Sequence, residues 1–262
     1  MGKLKFVIAF SLLLVTMIIS PAWADSQQGG EAQFSIEEIV VLTKKVEKTM
    51  AEKGVRVFII GRNGRDPKVL PDGVIYTHVA FGVYSQAQTQ DGRTILGYAY
   101  YNLYQSDENG AESKLVTDYT IDFLANVYEA KVGIVVPTPE LQKRLLMFVG
   151  TSKYTALHNP SYSVMSNPNN SIYQNCTEYV LDVINASIYR TADESKLKKI
   201  AKEHFVAQDI HISPFKVFLG SMFVAGVSKS DHKGQIRTAT FTTIAKYLES
   251  FNLAQEIITI EI

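Results

Sequence analysis

The sequence predicts an α+β protein in which an antiparallel sheet packs against a helix that begins at Cys176. Three observations predict it. Two alternating runs, 75–84 and 94–104, flank a polar turn around Asp91-Gly92 and read as a hairpin. Strand-like runs at 55–60, 129–136 and 257–262 are separated by segments whose apolar residues recur at helical spacing. After Cys176, the residues Val180, Val183, Ile184 and, on the flank, Ile188 form one apolar stripe, so the thiol one turn earlier points along the face that packs on the sheet.

The elements follow in order. Lys3 and Lys5 precede an uncharged run at 6–19, and Ala22-Trp23-Ala24 supplies the small residues a signal peptidase needs. Residues 1–24 therefore read as a cleaved signal peptide, which makes the chain an exported protein of the periplasm or cell envelope; an uncleaved anchor is the alternative. No run reaches the roughly 18 apolar residues of a membrane-spanning helix, so no stable membrane span is expected after cleavage. Residues 25–262 are expected to form a single domain.

Ser35-Ile36-Glu37-Glu38 has the form of a capping box, and Ile36, Ile39, Val40, Leu42, Val46 and Met50 continue it as a helix that Gly54 ends. The strand at 55–60 closes in a turn-rich stretch, 61–67, before the hairpin. The strand at 129–136 ends at Pro137-Thr138-Pro139, after which Leu141, Leu145, Leu146 and Val149 mark a helix. Residues 158–174 are rich in Asn, Ser, Pro and Tyr and too long for a routine connection, which suggests a functional or mobile loop. The Cys176 helix follows, then a charged helix at 193–204 whose Lys196-Leu197-Lys198-Lys199 reads as a solvated face. A segment through Phe215 and Phe223, a helix at 240–251 and the last strand complete a C-terminal helical extension.

Composition narrows function. The 26 basic residues balance 26 acidic ones, which argues against a nucleic-acid partner, since that demands a basic face. One cysteine allows no intramolecular disulfide, so the fold rests on its core even in an oxidising compartment. No cofactor or metal is expected: His204 and His211 lack a carboxylate at ligand spacing, and Asp231-His232 sits in a polar turn. Gly220-Ser221-Met222 lacks the second glycine of a nucleophile elbow.

Cys176 is either a buried, inert thiol or a nucleophile. Asn175 can cap the helix and Glu178 can complete a capping box, which makes Cys176 the first helical residue, where unpaired N–H groups favour a thiolate. A nucleophilic thiol needs a base, and His78 is the histidine that falls in a strand. Alternation puts Thr77, Val79, Phe81 and Val83 on an apolar face and His78 on the other with Ala80 and Gly82, whose small size would let the Cys176 helix approach. Asn102, on a face shared with Tyr98, Tyr100 and Tyr104, can orient the ring.

"THVAFGVY" with His78, a polar residue on the next strand, and "NCTEYV" at a helix start resemble the circularly permuted papain-like hydrolases, the branch that holds NlpC-type peptidases and lecithin:retinol acyltransferase-like proteins. Over nearly the whole mature chain, "RNGRDPKVLPDGVIYTHVAFGVY", "IVVPTPELQKRLL", "YQNCTEYVLDVINASIY" and "ISPFKVFLGSMF" resemble a family of exported bacterial proteins of unknown function, DUF2145-like. The papain-like resemblance implies a circularly permuted, papain-like α+β domain with Cys176 as nucleophile, His78 as general base and acid, and Asn102 in the third place. It also implies an oxyanion site at the Cys176 N–H, helped by Gln174 or Tyr173. The chain departs from better-known members in having Asn102 where acyltransferase-like proteins often place histidine, and in its long segment after residue 190. The expected activity is a cell-envelope thiol hydrolase or acyltransferase acting on an amide or ester of a cell-wall peptide or a lipid-linked acyl group. The alternative is an inactive envelope binding or accessory protein that uses the same cleft.

Overall fold

Ser35 opens the first helix, α1 (Ile36–Glu52), with both halves of the expected capping box: its hydroxyl accepts from the Glu38 N–H at 3.3 Å, and the Glu38 carboxylate accepts from the Ser35 N–H at 2.8 Å. Past the C-cap Lys53, Gly54 takes φ +64°, a conformation that favours glycine, and turns the chain into β1 (Val57–Arg62). The computed structural model describes residues 33–88, 94–211 and 226–262. The expected signal peptide, the Asp91-Gly92 turn and the segment through Phe215 and Phe223 lie outside the described residues.

The strands β1, β2 (His78–Gln88), β3 (Thr94–Gln105), β4 (Ser113–Tyr119), β5 (Lys131–Pro137) and β8 (Ala254–Glu261) build one sheet in the order β4-β3-β2-β1-β5-β8, every neighbouring pair antiparallel. Beside it, β6 (Gln208–Asp209) and β7 (Arg237–Thr238) pair over two residues. Helices cover both faces, as a sheet apolar on both sides requires. One face, with Phe58, Ile60, Ala80, Tyr98, Tyr100, Val132 and Ile134, packs on α1 and α2 (Thr120–Leu124). The other, with Val57, Ile59, Val79, Phe81, Val83 and Val135, packs on α3 (Pro139–Leu146), α5 (Cys176–Tyr189), α6 (Glu194–His204) and α7 (Phe241–Ser250). The short α4 (Ser152–Ala156) lies between α3 and the long connection.

The mixed α+β architecture, with its antiparallel sheet against the Cys176 helix, is the one the sequence predicts, but three details differ. The strand β4 was not expected: its Ser, Lys, Thr and Asp residues carry little apolar signal, and as an edge strand it is held by ladder hydrogen bonds from β3. The small residues Ala80 and Gly82 do not make room for α5. A Cβ added to Gly82 would sit 2.2 Å from Cζ of Phe58, so the space is filled by that ring, and α5 lies on the opposite face with its Val180, Val183 and Ile184 against Val79 and Phe81. Lys198, read as part of a solvated face, is buried; its Nζ donates to Glu178 at 2.6 Å and to Asp182 at 2.7 Å, tying α6 to α5.

Candidate active site

Asn175 sets where α5 begins. Its extended backbone places Oδ1 to accept from the Glu178 N–H at 2.9 Å, and its Nδ2 donates to Val164 O at 2.9 Å and to the Thr238 hydroxyl at 3.3 Å. The capping box is left half-made because Glu178 turns to Lys198 instead of back to Asn175. Cys176 is thus the first helical residue, and the backbone N–H groups of Val79, Thr177 and Cys176 itself lie near enough to its sulfur to pull its pKa down. These donors favour the thiolate, as expected at a helix start. Burial outweighs them and pushes the thiol up to about 11. In this arrangement Cys176 is a thiol.

Val79 lies beyond the end of the β2–β3 ladder. The β2–β3 ladder runs from Phe81↔Tyr101 to Gln88↔Thr94 and stops short of His78. Cys176 meets the backbone of the residue that follows His78, while the His78 side chain lies on the α1 and α2 face, stacked 4.6 Å from the Tyr104 ring and 5.6 Å from that of Phe123. His78 is fully buried, and its Nε2 lies 3.0 Å from Oδ1 of Asn102. The Asn102 amide nitrogen donates to Tyr100 O at 3.1 Å and to the Asp118 carboxylate. The Tyr100 carbonyl only accepts, so the NH₂ group faces it, Oδ1 faces the ring, and the hydrogen-bond pattern assigns the imidazole proton to Nε2. Nδ1 has no partner among the described residues. Burial first, and the Arg62 charge second, hold His78 well below its ordinary range, so the ring is neutral.

The structure therefore brings His78 and Asn102 together and sets Cys176 against the adjoining backbone, without a hydrogen bond from sulfur to imidazole. Two further residues complete the cluster. Asp118, on β4, also accepts from the Tyr104 hydroxyl at 3.0 Å, and burial pushes it up to about 7. Arg62, directly opposite His78 in the β1–β2 register, is buried, lies 5.4 Å over the Phe123 ring, and acts on both His78 and Cys176. Arg62 falls in what reads as a turn and Asp118 in a strand with little apolar signal, so no local pattern marks either; only the pairing of strands reveals them.

Gln174 and Tyr173 lie apart from the thiol's cavity. The Gln174 amide holds Asn159 N at 2.9 Å, Leu157 O at 3.1 Å and Asp182 at 3.0 Å. The Tyr173 hydroxyl bonds Ser230 at 3.0 Å and Ser228 at 3.2 Å. Both belong to the scaffold of the 158–174 connection, which Asn167 and Asn170 fasten to Asp231 and Ser163 to Ser228. What opens beside Cys176 is a cavity of about 90 Å³, walled by the 65–77 segment, residues 162–165, the start of α5, Ile210 and residues 238–240. Among the described residues no three His, Cys, Asp or Glu side chains gather as a metal site, and no helix is long and apolar enough to cross a membrane.

A family described as an uncharacterized protein conserved in bacteria, DUF2145, matches residues 49–248, from the end of α1 to near the end of α7. No curated protein and no solved structure matches the chain.

Proposed function

The chain belongs to this bacterial family, DUF2145, and we propose that it is a thiol hydrolase or acyltransferase of the cell envelope, with a circularly permuted, papain-like arrangement and export through the 1–24 segment. Cys176 Sγ attacks the carbonyl carbon of an amide or ester. For His78 to serve as base and acid its ring must turn from the α1 and α2 face to the thiol; it then takes the thiol proton at Nδ1 and returns it to the leaving nitrogen or oxygen, and water or a second acceptor releases the acyl group from sulfur. The observation that carries the reading is a helix-start thiol that borders a cavity and lies near the Val79 backbone, one residue along the strand from a neutral His78 fixed by Asn102 with a bare Nδ1. Both groups rest uncharged, so the proton moves as substrate enters rather than beforehand. The Cys176 N–H, at the start of α5, is the donor for the oxyanion.

The test is turnover of acyl esters and cell-wall fragments by the mature chain, with trapping of an acyl adduct on Cys176 by intact mass. Cys176→Ala should abolish turnover and adduct together; no Cys176-dependent turnover and no adduct on any substrate class would defeat the reading. A second reading, an envelope binding or accessory protein using the same cleft, is favoured by the raised thiol and the absence of a sulfur–imidazole hydrogen bond. It predicts ligand binding that Cys176→Ala leaves intact.

A further inference from the structure

The cavity beside Cys176 has a chemistry of its own. Its polar wall groups are turned to one another: Asn175 to Val164 O and the Thr238 hydroxyl, and the Thr177 hydroxyl to Ala239 O at 2.7 Å. Much of the remaining wall is aliphatic, from Leu70, Pro71, Val74, Val164, Met165 and Ile210. Among the described residues of the lining, Arg65 alone carries a full charge. A site so lined gains by covering apolar surface and gives a charged group little in return for its lost hydration.

We propose that this cavity is an acyl pocket, which receives a short, uncharged aliphatic acyl group and leaves longer chains and cationic groups outside. It rests on the acyl-cysteine reading of Cys176 and narrows it, favouring a small aliphatic acyl donor over a charged cell-wall peptide. A dry cavity of roughly 150 Å³ admits a six-carbon ring, so one of about 90 Å³ admits a chain of about three or four carbons. The walls come from separated parts of the chain fastened by the Ser163–Ser228 and Asn167–Asp231 hydrogen bonds, so the pocket is preformed.

Alkyl methanethiosulfonates test this without any turnover. Cys176 is the chain's only cysteine, so each adduct reports on it. The sulfur attacks the sulfenyl sulfur of the reagent, a disulfide forms, methanesulfinate leaves, and the thiol proton passes to buffer. With rates divided by those of a free cysteine derivative, the propyl reagent should outrun the octyl reagent by about tenfold or more, the discrimination surplus methylenes meet in an apolar site too small to cover them. The trimethylammonioethyl reagent should be slower than propyl. Met165→Ala should move the preference toward longer chains. Equal normalised rates for all lengths, a faster cationic reagent, or no labelling of the folded protein by any reagent overturns the pocket; the wild-type series decides even if the variant does not fold. Length-selective labelling without ester turnover retains the pocket and removes the catalytic reading, whereas turnover without length selectivity removes the pocket alone.

Discussion

One acceptor decides which way Asn102 faces, and through it which nitrogen of His78 is bare. Tyr100 O holds the amide NH₂, and the ring receives the oxygen. Long-range ¹H–¹⁵N spectra of the histidines should therefore show His78 neutral from pH 8 to below its ordinary value of 6.5, with its proton on Nε2; an Nδ1–H form would contradict the arrangement. Asn102→Ala should admit the Nδ1–H form and cost about 1–3 kcal/mol, the cost of an orphaned buried donor, measurable by urea unfolding. The thiol makes an equally sharp prediction. Because burial raises Cys176 to about 11, alkylation by iodoacetamide should still be rising at pH 9, whereas a plateau by pH 8 would mean a thiolate already formed at rest.

At the scale of the elements, close packing and one ion cluster determine what tolerates change. Gly82→Ala would drive a methyl group into the Phe58 ring, 2.2 Å from its Cζ, and overpacking of that kind costs about 1–3 kcal/mol, read as a lower denaturant midpoint. Lys198→Met, measured above pH 8 where Glu178 is ionised, would strand the Glu178 and Asp182 carboxylates between α5 and α6; breaking one side of a buried pair costs about 3–5 kcal/mol. An unchanged midpoint in either variant would mean that the contact carries no stability. The α1 capping box and the Asn175 cap were legible in sequence because each is decided within four residues. The apolar faces of β2 and of α5 were legible because periodicity is local too. Which face of β2 receives α5, the burial of Lys198, and the recruitment of Arg62 and Asp118 are settled by partners far along the chain. Glu178 shows the difference in one residue: its spacing from Asn175 fits a local cap, and a lysine twenty positions away wins it.

The molecule as a whole carries titratable groups that pull its stability in opposite directions with pH. Burial raises Glu178 from 4.5 to about 8, against the lowering pull of Lys198, and raises Asp118 from 3.8 to about 7; Asp182, facing Lys198 beside Glu178, is raised as well. For each of these acids the folded state binds more protons than the unfolded state between the two values. Their stabilising contribution is therefore complete below the unfolded value and is lost as pH rises through the folded one. His78 and His158 run the other way: burial lowers both from 6.5, so below pH 6.5 the unfolded chain takes up protons that the folded chain refuses, and stability falls as pH falls. Between about pH 4.5 and 6.5 the two limbs oppose each other, and above pH 6.5 the acids act alone. From pH 6.5 to 8.5, Glu178 and Asp118 together should remove about 2–3 kcal/mol, a fall of roughly 5–10 °C in Tm for a chain of this length. Glu178→Gln should flatten that alkaline limb and leave the acid limb, set by the histidines, in place. Thermal unfolding followed by circular dichroism across pH 5 to 9 reads both limbs, and a Tm that holds level or climbs from pH 6.5 to 8.5 would show that the buried acids are ionised in the folded protein at little cost.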